Sequence, residues 1–138
     1  MASSRSDKSS KNNDNNKLLE VEILDSLKEF IGSEPFGEYL SEYIGNTLRN
    51  IDRLGIAIAL EDEDRVKQVS HNLKGSAGNI GATKLSKVCT RLQESAVDDQ
   101  PMASIRGQFE DLKSTYQETK EALTAYIDTL EMSKLKAM

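Results

Sequence analysis

The sequence predicts an all-α protein built as a helical bundle, and three observations support this prediction. Apolar residues recur every three or four positions through most of the chain, which is the spacing of one face of an α-helix. Only two prolines, Pro35 and Pro101, interrupt the 138 residues, so long helices can form between them. No stretch alternates between apolar and polar residues as a half-buried strand would. A chain of this length is expected to form a single domain.

Composition separates the N-terminal segment from the first helix. Residues 1–16 are rich in Ser and Asn and contain almost no apolar side chains, so we expect a flexible tail. The first helix is predicted from about Lys17 to Ile31, and Gly32 followed by Pro35 marks its end and the start of the next. Its apolar face is irregular and consists of Leu18, Leu19, Ile23, Leu27 and Phe30.

The second and third helices lie on either side of an acidic turn. The second is predicted to end at about Leu60, and Asp62 is the expected N-cap of the third, whose first turn favours carboxylates. We prefer a solvated helix start to a metal site as the interpretation of the four acidic residues from Glu61 to Asp64. The third helix extends to about Ile80, with Gly81 at its end. The apolar stripe of the second helix consists of Phe36, Leu40, Tyr43, Thr47, Ile51, Leu54 and Ile58.

The fourth and fifth helices are separated by a turn that contains a proline. The fourth is predicted from about Thr83 to Ala96 and the fifth from Met102 to Met132, with residues 133–138 as a C-terminal tail. The spacing of the fifth helix is typical of a helix packed lengthwise in a bundle. The apolar faces comprise Leu85, Val88, Cys89, Leu92 and Ala96 in the fourth helix, and Ile105, Phe109, Leu112, Tyr116, Thr119, Leu123, Tyr126 and Leu130 in the fifth.

Charge and composition disfavour several function classes. The formal net charge of -5 disfavours a nucleic-acid binder, which normally has a basic surface. No apolar stretch approaches the roughly 20 residues that cross a bilayer, and the polar N-terminus lacks the apolar block of a secretory signal. The single cysteine, Cys89, is interpreted as a small core residue rather than a redox sensor. We expect a cytoplasmic protein, and also a nuclear one if the source is a eukaryote.

The single histidine, His71, is predicted to face solvent. The apolar stripe of its helix spans an arc of roughly 80°, and His71 points roughly 160° away from the centre of that stripe. A lone histidine with no ligand cluster around it does not form a metal site. A neutral imidazole nitrogen is a good nucleophile near neutral pH. The stripe consists of Val66, Val69, Leu73, Ala77 and Ile80.

The helix face that His71 occupies contains two glycines. Each costs about 1 kcal/mol relative to alanine in a helix, and on a solvent face packing does not explain that cost. We infer that Gly75 and Gly78 leave a trough beside the ring for a partner, although loosening of the helix end is an alternative for Gly78. Lys74 can reach an anion on the ring; considered alone, it would be an ordinary solvated lysine. The residues within roughly 60° of His71 are Lys67, Gln68, Lys74, Gly75 and Gly78.

The string from His71 to Ala82, HNLKGSAGNIGA, closely resembles the signature of histidine-containing phosphotransfer (HPt) domains. That signature is His, any residue, Leu-Lys-Gly-Ser, a few small residues, then Gly-Ala. The order and lengths of the helices over about residues 18–132 are also similar to those of the family. The resemblance implies an all-α, up-down-up-down four-helix bundle with an additional short N-terminal helix, formed here by residues 17–132.

The resemblance also implies roles for individual residues. His71 would accept a phosphoryl group, Lys74 would offset the charge of that group, and Gly75 would leave room for an incoming receiver domain. Gln93 stands where the family has a Gln that holds the other imidazole nitrogen. The alternative for Gln93 is a boundary glutamine without a role.

Two further expectations concern the surroundings of this motif. Some members of the family have a basic residue one turn beyond the Gln, whereas this chain has Val97, so charge compensation is expected from Lys74 and Lys67. Part of the first helix is nominated as an apolar docking surface for a receiver, with core packing as an equal alternative. The residues nominated are Ile23, Leu24 and Leu27.

We therefore predict a phosphorelay carrier that accepts a phosphoryl group on His71 from a receiver aspartyl phosphate and passes it to another receiver. The expected partners are receiver domains of hybrid sensor histidine kinases and response regulators. These bring the Mg²⁺, so no cofactor of the chain's own is expected, and no nucleic acid or membrane partner. We expect a monomer, and a carrier rather than an enzyme with turnover of its own.

Two alternatives from other classes remain. A helical adaptor would bind receivers without transferring phosphate, and it would not need His71. A hydrolase would use His71 as a general base, but Ser70 and Ser76 lie off the face of His71 and supply no nucleophile.

Overall fold

Five α-helices make up the part of the chain that the computed structural model describes, which is residues 17–137. This range contains no strand, so the predicted all-α class is confirmed. The predicted flexible tail, residues 1–16, lies outside the described residues. The helices are α1 (Val21–Ile31), α2 (Ser33–Ala59), α3 (Glu63–Asn79), α4 (Thr83–Val97) and α5 (Met102–Ala137).

The four long helices form an antiparallel bundle. Each of them packs against the next in the chain, and α5 also packs against α2, so the four helices form a closed ring. The connections between them are short, which makes consecutive helices run in opposite directions. In this ring α3 and α4 are adjacent and form the side opposite α2 and α5.

The short helix α1 lies across one end of the bundle. The backbone N–H of Glu20 donates to the carbonyl of Gly81 in the α3–α4 turn at 2.8 Å. The hydroxyl of Tyr126, near the end of α5, donates to the carboxylate of Asp25 at 2.8 Å. Because the backbone of Glu20 pairs with this turn, α1 begins at Val21, later than the predicted start at Lys17.

The predicted apolar stripes of the long helices form the core. All seven stripe residues of α2 and all five of α4 are buried. In α3 and α5 the stripes are buried except for Val69, Phe109 and Tyr126, which are half-buried against the same core. The 3.6-residue period therefore identified the inner faces correctly, because a helix in a closed ring hides only one side.

The apolar face predicted for the first helix is partly wrong. Leu19 is buried and Leu18 and Leu27 pack partly against the core, but Ile23 is 39 % exposed and Phe30 is 91 % exposed. Leu24, which was not assigned to that face, is fully buried. A helix that crosses the end of a bundle is covered along a narrow strip, so its own apolar spacing does not decide which side is covered.

Apart from the start of α1 and the C-terminus, the ends of the helices agree with the predicted signals. The carboxylate of Asp62 accepts from the backbone N–H of Arg65 at 3.2 Å, so the predicted N-cap of α3 is confirmed. Gly81 follows the end of α3 with a φ of 80°. The last helix continues to Ala137, beyond the predicted end at Met132 and into the segment predicted as a tail.

Replacing Gly81 by alanine is expected to lower the free energy of unfolding by about 2–4 kcal/mol. The φ of 80° disfavours any side chain, and a Cβ would lie 3.1 Å from the carbonyl oxygen of Glu20 and 3.1 Å from the Cβ of Ile23. The measurement is urea unfolding followed by circular dichroism. Gly107→Ala is the control, because a Cβ there meets nothing within 4 Å. Equal midpoints for the two variants would contradict the prediction.

Candidate functional site

His71 lies in the middle of α3, on the exposed side of the helix. The opposite side of α3 is held in the core by Val66, Leu73 and Ala77, which are essentially inaccessible to solvent. Ser70 is also buried, and its hydroxyl donates to the carbonyl of Val66 at 2.6 Å. The imidazole is therefore displayed by a helix whose rotation is set by packing on its far side.

The imidazole is held from the neighbouring helix. The side-chain amide nitrogen of Gln93, on α4, lies 3.2 Å from Nδ1 of His71. Gln93 is half-buried between the helices, which limits its freedom. The amide can present either end to the ring, since its nitrogen and oxygen differ little in shape. When the carbonyl oxygen accepts a hydrogen bond from the Nδ1–H group, the free lone pair of the ring is on Nε2, so Nε2 is the nucleophilic nitrogen in that tautomer.

Lys74 and Gly75 lie one helical turn beyond His71. Lys74 is half-buried, and among residues 17–137 it has no carboxylate partner within ion-pair distance. Its ammonium group is therefore available to an incoming anion. Gly75 is exposed, and a Cβ built there would meet nothing within 4 Å. The space predicted beside the ring is open at this position.

The other residues predicted on this face differ in their surroundings. Gln68 is exposed, and Lys67 is half-buried. Gly78 is exposed, but a Cβ there would lie 3.6 Å from the hydroxyl oxygen of Ser86 on α4. Gly78 therefore borders α4, and the clear space next to the ring is at Gly75.

The docking surface nominated on the first helix needs one correction. Leu24 is completely buried, so it cannot contact a partner, and its nomination is wrong. Its side chain belongs to the core, which is the alternative that the sequence left open. Leu27 is half-buried against the same core. Ile23 is 39 % exposed and is the accessible member of the three.

Among residues 17–137, the two serines nearest to His71 in the sequence of α3 bond to the backbone of their own helix. The hydroxyl of Ser70 is directed to the backbone of its own helix in the core, and the hydroxyl of Ser76 donates to the carbonyl of Leu73 at 3.2 Å. Neither serine is hydrogen-bonded to the imidazole, and the partner of the ring is an amide rather than a carboxylate. The hydrolase alternative therefore has neither a paired nucleophile nor an orienting acid.

No group of three or more His, Cys, Asp or Glu side chains is placed to hold a metal ion within residues 17–137. No helix in this part of the chain is long and apolar enough to cross a membrane. Burial raises the pKa of the Cys89 thiol to about 12, so the thiol is neutral at physiological pH, as a core residue would be.

Ser86, which is not among the predicted site residues, makes one further contact at this site. The hydroxyl of Ser86, on α4, donates to the backbone carbonyl of Lys74 at 3.2 Å. Ser86 precedes Gln93 by seven residues, and two helical turns bring both to the same side of α4. The seven-residue spacing can be read from the sequence. Only the packing of α4 beside α3 shows that this side of α4 contacts the site.

Comparisons with known proteins agree with the helical fold. The model of the Hpt domain family matches residues 38–131, which is more than half of the chain. Part of the chain is 29 % identical over 80 residues to the sensor protein TorS of Escherichia coli K12. The matched region is 58 % of this chain and 9 % of TorS, so the chain corresponds to a small part of that protein.

Solved structures share the fold at low sequence identity. The histidine-containing phosphotransfer protein B of Pseudomonas aeruginosa PAO1 superposes with a TM-score of 0.76 at 19 % identity, over 82 % of this chain and 96 % of that one. The HPT domain of a sensor hybrid histidine kinase from Shewanella gives 0.60 at 12 % identity, over 75 % and 88 %. A rice protein described as a putative histidine-containing phosphotransfer protein gives 0.55 at 21 % identity, over 92 % and 97 %.

Proposed function

The chain belongs to the Hpt domain family, and from this premise we propose that it carries a phosphoryl group on His71 between receiver domains of a two-component phosphorelay. The observation that supports the proposal most strongly is the environment of His71. The imidazole is exposed, Gln93 holds Nδ1, and the space next to it at Gly75 is open. The partners proposed are receivers of hybrid sensor histidine kinases and of response regulators.

The transfer step that we propose uses Nε2 as the nucleophile. Its lone pair attacks the phosphorus of a receiver aspartyl phosphate, an N–P bond forms, and the bond from phosphorus to the carboxyl oxygen breaks, so the aspartate leaves as a carboxylate. Nδ1 keeps its proton and donates its N–H to Gln93 in a hydrogen bond, with the amide turned so that its carbonyl oxygen faces the ring. Transfer to the next receiver is the same step in reverse. The receiver supplies Mg²⁺ and the acidic pocket, and this chain supplies a positioned nucleophile.

Lys74→Ala is expected to slow acceptance of the phosphoryl group about tenfold, because an ammonium group one turn from the ring stabilises the charge that arrives. The measurement is the rate of label transfer from a phosphorylated receiver. Lys120→Ala is the control, since it removes the same charge from an exposed site on α5, on the other side of the ring of helices. If the two variants were equally fast, Lys74 would be an ordinary surface lysine.

The proposed function is tested by incubating the purified chain with a receiver domain that carries a ³²P-labelled aspartyl phosphate. We expect label to move to the chain, to reach one phosphoryl group per molecule, and to be labile in acid and stable in base, as a phosphohistidine is. A second, unlabelled receiver should then remove it. If receivers bound the chain without transferring label, the chain would be an adaptor and the carrier proposal would fail.

A further inference from the structure

Two side chains of α4 reach across to α3 at the site. The side-chain amide of Gln93 contacts Nδ1 of His71 at 3.2 Å, and the hydroxyl of Ser86 donates to the backbone carbonyl of Lys74 at 3.2 Å. Because Ser86 and Gln93 are seven residues apart, they project from the same side of α4 about two turns apart. The first contact fixes the ring, and the second fixes the backbone that bears Lys74.

The segment of α3 that begins at Lys74 has a low intrinsic helix stability. Gly75 and Gly78 follow it, and each glycine costs about 1 kcal/mol of helix stability relative to alanine. The open space at Gly75 also leaves the helix without side-chain packing on that side. The hydrogen bond from Ser86 to the carbonyl of Lys74 therefore restrains a stretch of backbone that the two glycines leave flexible.

The surroundings of Ser86 restrain its backbone and limit the access of solvent to its side chain. The hydroxyl of Thr90 donates to the carbonyl of Ser86 at 2.9 Å, one turn further along α4. On α3, the position that faces Ser86 is Gly78, where a Cβ would lie 3.6 Å from the hydroxyl oxygen. Ser86 is half-buried between the helices, so solvent competes less for its hydroxyl than at an exposed position.

We propose that Ser86 is a positioning residue for phosphoryl transfer, an inference that rests on the proposed function. By holding the backbone carbonyl of Lys74, it restrains the turn of α3 from which the side chain of Lys74 extends, one turn beyond the imidazole that Gln93 contacts. The hydroxyl of Ser86 is hydrogen-bonded to the backbone of Lys74 and not to the ring, so it acts through Lys74.

The chain offers a matched control in Ser95. This residue is also half-buried on α4 and also forms a cross-helix hydrogen bond, but its hydroxyl accepts from the amide of Gln108 on α5 at 2.7 Å. Ser86→Ala and Ser95→Ala therefore each remove one hydrogen bond between α4 and a neighbour. Only the first removes a restraint on α3.

The experiment is a double-mutant cycle on the rate of transfer from a labelled receiver at saturating receiver concentration. Ser86→Ala is expected to slow transfer about fivefold in the wild-type background and to have no further effect in a Lys74→Ala background. Ser95→Ala is expected to transfer as the wild type does. If the losses from Ser86→Ala and Lys74→Ala multiplied, or if Ser95→Ala were equally slow, Ser86 would be merely structural and the inference would be overturned.

A second readout does not depend on transfer. Amide hydrogen exchange measured by NMR should be about fivefold faster in α3 from Gly75 to Asn79 in Ser86→Ala, and unchanged there in Ser95→Ala. Unchanged exchange in both variants would overturn the inference even if phosphotransfer were established. A wild-type chain that accepts no label would instead overturn the proposed function, and faster exchange in Ser86→Ala would still show the restraint.

Discussion

His71→Gln is expected to abolish acceptance of phosphate from a receiver, reducing it below detection. The variant keeps a polar side chain of similar length but has no nitrogen lone pair that can attack phosphorus. Because His71 is exposed and its side chain contacts Gln93 rather than the core, the loss of stability should stay within about 0.5 kcal/mol. Loss of transfer would then reflect the missing nucleophile rather than unfolding.

The assay is label transfer from the ³²P-receiver, with circular dichroism and urea unfolding as checks of the fold. Asn72→Gln is the matched variant, because it introduces the same side chain at the adjacent exposed position of α3 and leaves the imidazole in place. It should still accept label. The chain contains no other histidine, so label on His71→Gln would have to be on another kind of residue. That result would contradict the assignment of His71 as the acceptor.

Gly75→Gln is expected to reduce transfer at least about 100-fold, because a side chain would occupy the open space next to the ring and prevent the aspartyl phosphate from reaching Nε2. The same change should stabilise the isolated protein by about 0.5–1 kcal/mol, since glutamine is a much better helix former than glycine. The two effects have opposite directions, which distinguishes blocked access from damage to the fold.

Gly107→Gln provides the control for this substitution. Gly107 is also an exposed helical glycine whose Cβ would meet nothing within 4 Å, but it lies near the start of α5. We expect a similar gain in stability and wild-type transfer. Receiver affinity, measured by titration calorimetry, should fall for Gly75→Gln only. Normal transfer by Gly75→Gln would mean that the receiver approaches His71 from another direction.

Much of the fold could be predicted from the sequence because the long helices are strongly amphipathic. The stripes of α2 and α4 were identified in full, and Asp62 was recognised as the cap of α3. The errors lie in α1 and at the C-terminus. Leu24 was expected on a docking surface and is buried, whereas Phe30 was expected on an apolar face and is 91 % exposed.

The prediction of the candidate site depended on two kinds of information. Helix geometry alone indicated an exposed His71 with glycines on the same face, and the structure describes that arrangement. The partner of the ring, Gln93, was named from the family resemblance, and its amide lies 3.2 Å from Nδ1. Ser86 was not identified at all, because a serine on a helix has no distinguishing pattern of its own.

The sequence by itself determined which side of each long helix is buried, and therefore that His71 faces out. Those properties depend on residues within one or two turns of each other, where the 3.6-residue period is sufficient. Only the tertiary structure decided which strip of α1 is covered and which hydroxyl of α4 meets the carbonyl of Lys74. These contacts join segments that are distant in the chain, and their distances follow from how the helices pack against one another.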